Sequence, residues 1–538
     1  MANHGILLNG MLENMSPFTE TYMTGIVPSK YETFVSIKRP SGPHRIATFL
    51  REKDWDIEVL DYVPAFSMEE FQQFIRSRVT SETKFLGMGF LFWLKDYMGT
   101  LNKKFNWFKK EYPDIPIIVG CKNQSIIHWL DADYHVNGYG EEGLWQLLLK
   151  LTGKESNVHL REFDFMGTKR TVVDCDTHHP AFPCKDLQVK YEERDYIEPD
   201  EILTIETTRG CRFRCKFCAF NVLGVKEDYS RDMNNLKEEL LRNYQMWGTT
   251  NYNVADETFN ESTDRLKRIR DVVKTLPFQP HFFGFVRGDL LVAREDDWKY
   301  MAEIGHWGHF YGIETLHSEA GKYVGKGMPA EKLKDGLLRI KDEFPKHSPN
   351  GYYRMQVNTL AGLPHESLEE FENNYWWLKK TFPAQTMSAS SLYIANDNGK
   401  EINTAQSVFD KTWRDDGWFE ETTDEEMGAN VDALLGPEHI KKSIWAKYKQ
   451  EFALNWKSSL ASWWDCHLLL SKLLLEDVKN NDNSPSIWYF HRWLTGQNGK
   501  FTFEDMHKPV RETSYFDDTL YESHLVHIDN YKHKKLSL

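Results

Sequence analysis

Residues 206–220 read ETTRGCRFRCKFCAF, and three of the chain's seven cysteines, Cys211, Cys215 and Cys218, fall inside this stretch. Thiolates gathered this tightly suit a soft metal centre, and three ligands leave one coordination position for something other than protein. The loop follows ILTIE (202–206), an apolar run that reads as a strand. Two metal readings stand open. Zinc in a structural role would want a fourth protein ligand. A cubane iron–sulfur cluster has four irons and leaves one free for a ligand's amine and carboxylate. Buried thiols without a metal are the plainest alternative.

Working outward, residues 201–404 continue as a strand–helix series. The helices are placed at 235–247, 262–276 and 365–382, and the strands at 250–257, 280–287, 309–314 and 352–360. Repeated units of this length predict a partial (β/α) barrel with its chemistry at the carboxyl ends of the strands. Residues 1–155 alternate in the same way. GILL (5–8), IEVLDY (57–62), KFLGMGF (84–90), IPIIVG (115–120) and YHVNG (134–138) read as strands between amphipathic stretches at 43–55, 68–79, 103–112 and 141–153. That pattern predicts an α/β, Rossmann-like parallel sheet covered on both faces, with ligands at its carboxyl edge. No G-x-G-x-x-G follows the first strand, so the dinucleotide fingerprint is missing.

Residues 156–200 read as a polar connector. It contains DCDTHHPAFPC (174–184), whose Cys175, His178, His179 and Cys184 match no structural-zinc spacing and are taken as loop residues. Residues 405–538 read as a mainly helical domain rich in tryptophan. Trp413, Trp418, Trp456, Trp463, Trp464, Trp488 and Trp493 are assigned to its core rather than to base stacking. Tyr323, Lys326 and His365 lie near predicted strand-end loops without an assigned task.

The bulk numbers narrow the function. At 538 residues several domains are expected. A formal charge of -14, from 66 basic against 80 acidic residues, argues against broad nucleic-acid binding and favours a small-molecule substrate. No apolar run approaches the ~20 residues needed to span a bilayer, so no membrane role is expected. The first residues, MANHGILLNG, read as a buried strand rather than a signal segment. Seven cysteines do not make a disulfide scaffold, and a free-thiol cluster needs a reducing compartment, by default the cytoplasm.

The pattern C-x3-C-x2-C, with Phe217 before its last cysteine, resembles the radical S-adenosylmethionine (SAM) superfamily. The lead-in IETTRG (205–210) is similar to members that carry an N-terminal cobalamin-binding-like domain. The likeness continues through ADETF (255–259), FVRGD (285–289), GIET (312–315) and GLPHES (362–367). On the N-terminal side PHRIATFL (43–50), IPIIVG (115–120) and NGYGEEG (137–143) resemble the same subgroup, so the likeness covers roughly residues 1–400.

The resemblance implies a [4Fe–4S] cluster on Cys211, Cys215 and Cys218, with SAM chelating the open iron and cleaved by one electron to methionine and a 5'-deoxyadenosyl radical. It implies that Asp256 or Glu257 accepts a hydrogen bond from the SAM ammonium, that Arg287 pairs with its carboxylate, and that Glu314 reaches the ribose. Phe217 would pack over the cluster or adenine. Each has a structural alternative: strand-end caps, an ion pair, or core packing. Gly10, Gly120, Gly138 and Gly140 would line a cobalamin site or simply make turns.

The cobalamin-ligating D-x-H-x-x-G is absent, since Leu8–Asn14 contains no histidine. Members of the subgroup that lack it hold cobalamin without a protein axial ligand, and others carry the fold without cobalamin. The leading reading is a cobalamin-dependent-type methyltransferase acting on an unactivated carbon. The alternatives are radical oxidation, cyclisation or rearrangement, and a non-catalytic metal-stabilised binding module. With no second cysteine group, electrons are expected from an outside donor such as flavodoxin or ferredoxin.

Overall fold

The computed structural model describes residues 2–10, 39–89, 98–120, 130–165, 168–174, 186–199, 201–218, 229–382, 386–392, 394, 407–420, 456–462, 465–466, 469–470, 473 and 528–537. The first unit runs β1 (His4–Asn9), α1 (Ser41–Arg51), β2 (Asp56–Leu60), α2 (Met68–Arg78), β3 (Thr83–Gly89), α3 (Met98–Glu111), β4 (Ile117–Gly120), β5 (Tyr134–Asn137) and α4 (Gly140–Leu151). Strand β1 is buried along its whole length. Side-chain alternation sends Ile6 and Leu8 into the core with Phe71, Phe74 and Phe105 of α2 and α3. Leu7 faces Ala47, Leu50, Leu144 and Leu147 of α1 and α4. Helices therefore cover both faces, as expected.

The stretch 156–200 corrects the sequence reading, because it is not wholly a connector. It supplies β6 (Leu160–Phe165) and β7 (Thr168–Asp174). Strand β7 pairs parallel to β5, and β6 closes the edge antiparallel to β7. The edge strand LREFDF mixes charged residues among its apolar ones, so its composition looks like a loop's. The sheet order is β2-β1-β3-β4-β5-β7-β6. The order reverses at β1, which opens a crevice between the carboxyl ends of β1 and β3.

The second sheet has the order β13-β12-β11-β10-β9-β8, every pair parallel. Its elements are β8 (Leu203–Ile205), α5 (Met233–Trp247), β9 (Asn251–Val254), α6 (Thr263–Val273), β10 (His281–Val286), α7 (Gly288–Ala293), α8 (Asp296–Ile304), β11 (His306–Glu314), α9 (Ser318–Val324), α10 (Ala330–Glu343), β12 (Arg354–Ala361), α11 (Leu368–Thr381) and β13 (Thr386–Ser391). Among the described residues its first and last strands do not pair, so the barrel is partial. One face packs Ile205, Val254, Phe282, Tyr311 and Val357 against the helices.

The C-terminal part shows α12 (Phe409–Thr412) and a helix at 528–536, here α13, with one two-stranded addition. That addition pairs β14 (Phe419–Glu420) with β15 (Trp456–Lys457). Trp413, Trp418 and Trp456 are core residues, as expected. Trp463, Trp464, Trp488, Trp493 and the segment from Cys175 to Cys184 lie outside the described residues. Helix α13 docks on the first sheet: Asp61 N–H donates to the Tyr531 hydroxyl at 2.8 Å, and Lys535 Nζ to the Val59 carbonyl at 2.9 Å.

Candidate functional site

Strand β8 delivers the chain to the barrel mouth, and the residues after it are pinned before the cysteines begin. Asp256, just past the end of β9, accepts from the Thr207 N–H at 2.7 Å, the Thr208 N–H at 3.1 Å and the Thr207 hydroxyl. It is fully buried, and burial pushes its carboxyl above the ordinary range despite Arg265 and the threonine donors. Of the adjacent pair, Asp256 points inward with its oxygens engaged by the loop, while Glu257 is half-buried. Asp256 thus does the work of the strand-end cap.

Arg209 makes the next restraint. Its guanidinium forks onto Glu206 at 2.8 and 2.9 Å, meets Glu141 at 2.8 Å and lies 4.7 Å from the Tyr139 ring centre. Glu141 begins α4 on the first sheet and also pairs with Arg45 at 3.3 Å. Burial would raise its carboxyl, but the two arginines hold it below the ordinary range. The NGYGEEG turn and the TTRG lead-in, widely separated in sequence, therefore meet in one buried ion-pair cluster.

Cys211, Cys215 and Cys218 lie on one loop and form no disulfide. Cys211 Sγ is 3.5 Å from Thr258 Oγ1, and Cys215 is buried with Arg287 Nη1 at 3.5 Å from its sulfur. The Cys218 N–H donates to the Cys215 carbonyl at 3.0 Å, which makes a tight turn. Burial pushes the Cys211 thiol up, a shift that a bound cation reverses by deprotonating its ligand. Among the described residues no three His, Cys, Asp or Glu side chains stand together at metal-binding distance. The donor set still fits a thiolate-held cluster: three thiols outside any disulfide, with an arginine against one of them. Convergence of such ligands is supplied by binding itself.

Arg287 closes β10. It is bidentate to Asp289 at 3.0 and 2.5 Å, and its guanidinium lies 3.9 Å from the Phe213 ring centre. It is therefore an ion-paired residue that also touches the cysteine loop. Glu314 ends β11 at a register shift with a φ of 65°. Its carboxyl is raised by burial, against the pull of Lys326, whose Nζ is 3.4 Å away. A Cβ on Gly312 would stand 2.5 Å from Glu314 Oε1, so the spacing of GIE lets the carboxylate fold back over the strand. Phe217 is half-buried against the C-terminal core, with Lys326 Nζ 5.8 Å from its ring centre.

The register also identifies side chains that the sequence reading missed. Thr204, Asn253 and Phe283 form one cross-strand row, and Phe285, Phe310 and Gln356 form the next. These residues lie on the face opposite the helices. Phe285 stays 44% exposed there, while Gln356 is 1% exposed. Strand parity was the available signal: Phe283 and Phe285 are two apart in an otherwise apolar run.

At the first sheet, Gly10 follows β1, Gly120 ends β4, and Gly138 (φ 99°) and Gly140 flank the turn into α4. All four edge the β1–β3–β4–β5 carboxyl side. Among the described residues, a Cβ at Gly120 would meet the Met88 carbonyl, at 3.8 Å. Below it, Arg39 pairs with Asp61 and with Glu201 at 2.9 Å, and His44 and Asn9 reach Asp61 at 2.9 and 2.7 Å. Residues 11–14 of the histidine-free loop lie outside the described residues.

The Radical SAM superfamily profile matches residues 205–377, from the last residue of β8 through the cysteine loop and strands β9 to β12 of the second sheet. The chain carries a radical SAM domain. An uncharacterized methyltransferase from Pyrococcus horikoshii is 24% identical over 176 residues, 33% of this chain and 36% of that protein. Cytidylyl-2-hydroxyethylphosphonate methyltransferase from Streptomyces wedmorensis is 18% identical over 239 residues, 43% of this chain and 44% of that protein. The matches thus span less than half the length of these curated relatives.

Among solved structures, the radical SAM methyltransferase TsrM from Kitasatospora setae, bound to tryptophan substrate and a SAM analogue, aligns over 79% of each chain with a TM-score of 0.54 at 14% identity. The cobalamin-dependent radical SAM enzyme OxsB, with aqua-cobalamin bound, aligns over 99% of this chain and 72% of that one, with the same TM-score and identity. At this identity the likeness is one of fold: a partial barrel joined to an N-terminal α/β sheet. Among the described residues no helix is long and apolar enough to cross a membrane.

Proposed function

We propose that this chain is a radical SAM enzyme of the cobalamin-dependent type, most simply a methyltransferase acting on an unactivated carbon of a small molecule. The observation that carries the reading is the buried Arg209–Glu141 contact, which joins the cysteine loop to the turn edging the first sheet's crevice. Two ligand-bearing ends held by one ion-pair cluster suit a reaction that uses both.

Cys211, Cys215 and Cys218 would hold a [4Fe–4S] cluster, which when bound supplies the electron that cleaves SAM. Gly10, Gly120, Gly138 and Gly140 would edge the cobalamin site, and that cofactor, when bound, supplies a methyl carrier. The protein's own work is positional. Asp256 fixes the entry to the cysteine loop, and Arg287, steadied by Asp289, presents a guanidinium beside Cys215 for a carboxylate. Glu257 and Glu314 remain the acceptors for an ammonium and for ribose hydroxyls. Phe285, with Phe310 beside it, offers an apolar surface on the sheet face opposite the helices. With Cys121, Cys175, Cys184 and Cys466 dispersed in the sequence, electrons come from an external carrier such as flavodoxin or ferredoxin, in the reducing cytoplasm.

The test is anaerobic incubation of the reconstituted protein with SAM, reductant and candidate substrates, read by mass spectrometry and absorption. A methylated product, S-adenosylhomocysteine and corrinoid bands are expected. Cluster bands and 5'-deoxyadenosine without any corrinoid uptake would move the assignment to oxidation, cyclisation or rearrangement. Absence of iron would leave the metal-stabilised binding module.

A further inference from the structure

We propose that Lys216, Tyr323 and Asp416 form a positioning latch by which the C-terminal part grips the cysteine loop and sets how readily the cluster there accepts an electron. The inference rests on the cluster reading above. Lys216 lies between Cys215 and Cys218, so whatever holds it holds the loop.

It is held on every side. Its N–H donates to the Val324 carbonyl of α9 at 3.1 Å. Its own carbonyl accepts from the N–H groups of Val408 and Phe409 at 3.0 and 3.2 Å, which satisfies donors at the start of α12. Its ammonium lies 3.6 Å from the Tyr323 ring centre and 3.9 Å from Asp416 Oδ1. Tyr323 donates its hydroxyl to the same carboxylate. The Asp416 side chain is 5% exposed and that of Lys216 33%, so the anion is fixed more deeply than the cation it faces.

Placement gives this arrangement an electrical consequence. Reduction adds one negative charge to a centre held by the residues flanking Lys216. A cation beside it favours that electron and an anion opposes it, the buried carboxylate being less screened by water than the partly exposed ammonium. In the intact latch the carboxylate offsets the ammonium. Removing Asp416's charge leaves the ammonium unopposed, whereas removing Lys216's charge leaves the carboxylate unopposed. The two substitutions therefore act with opposite sign, although either one breaks the same contact.

The experiment is a redox titration of the full-length reconstituted protein, followed by electron paramagnetic resonance, with iron release to a chelator measured alongside. Asp416→Asn is expected to move the midpoint potential positive and Lys216→Met to move it negative. Asp415→Asn, at the exposed neighbouring acid, should leave it unchanged. Iron release should be several-fold faster in Asp416→Asn and Tyr323→Phe than in Asp415→Asn, and Asp416→Glu should restore part of both properties. Shifts of the same sign in Asp416→Asn and Lys216→Met, or shifts no larger than that of Asp415→Asn, would reduce the latch to ordinary packing. A wild-type protein that takes up no iron would instead overturn the cluster reading itself.

Discussion

The two sheets are built from the same strand–helix unit and differ in strand order, and that difference decides where each can take a ligand. The first sheet reverses direction at β1 and opens a crevice at its carboxyl edge. The second runs in sequence order from β8 to β13, has no reversal, and carries Phe285, Phe310 and Gln356 on the face opposite its helices. Their treatment of buried charge differs as well. Beneath the crevice, Asp61 is surrounded by Arg39, His44 and Asn9, which overcome its burial and hold it well below the ordinary carboxylate range. At the barrel mouth, Glu366 is buried with Asn374 and Thr315 as its partners, and its carboxyl is pushed up to about 7. The crevice has its charges matched internally. The mouth keeps groups that a ligand or a proton must satisfy.

If the cluster belongs to the second sheet alone, its loss should leave the first sheet intact. Replacing Cys211, Cys215 or Cys218 with Ala is expected to abolish iron uptake and SAM cleavage, while corrinoid binding and far-ultraviolet circular dichroism persist. Cys121→Ala should change neither. Full 5'-deoxyadenosine formation by Cys215→Ala would remove the distinction between the two sheets.

The joint between them is the next place to strike. Glu141→Ala leaves Arg209 and Arg45 without a shared partner in a site where the Glu141 side chain is 3% exposed. Breaking a buried pair in this way costs about 3–5 kcal/mol, read as a lower denaturation midpoint. Adding Arg209→Ala should cost less than the sum of the two single changes, because the orphaned charge goes with it.

The C-terminal part closes over the barrel mouth at Gly362, where φ is 90° and a Cβ would stand 2.2 Å from Trp456 Cη2. Gly362→Ala is expected to destabilise by about 3 kcal/mol, from left-handed backbone strain together with overpacking. A smaller additional loss when Trp456→Phe is combined with it would locate the clash at that ring.

Much of this organisation was legible in the sequence because it is local. Apolar runs marked β1, β3 and β10, and amphipathic stretches between them marked helices such as α2 and α11. The cysteine spacing marked the loop. Strands β6, β7 and β13 were missed because their mixed or small polar residues make no long apolar run. Site roles were harder still. Asp256 reads as a ligand contact, yet its oxygens are filled by Thr207 and Thr208, residues 48 and 49 positions away. Arg209 meets Glu141 across the two sheets, and Asp416 meets the cysteine loop from the C-terminal part. Charge type was visible at each position, but partnership is a property of the assembled chain.

The contrast between Asp61 and Glu366 gives the last prediction, and its sign follows from linkage. Burial is the main cause of the Glu366 shift, and the Thr315 and Asn374 bonds oppose it only in part. Its folded value, about 7, lies above the ordinary 4.5. Its contribution to stability is therefore fully present below about pH 4.5 and is lost as pH rises through about 7. Asp61 behaves oppositely, contributing above its ordinary 3.8 and losing that only in strong acid. Glu366→Gln keeps the shape of the side chain and removes its titration. Relative to wild type, the variant should gain about 1.4 kcal/mol for each pH unit between those limits. Urea denaturation at pH 5 and at pH 8.5 measures the difference, with Asp61→Asn as the opposing case, destabilised at both values. A Glu366→Gln difference that stays flat across this range would mean that a cation reaches Glu366, and the two buried acids would then no longer be distinguished by their surroundings.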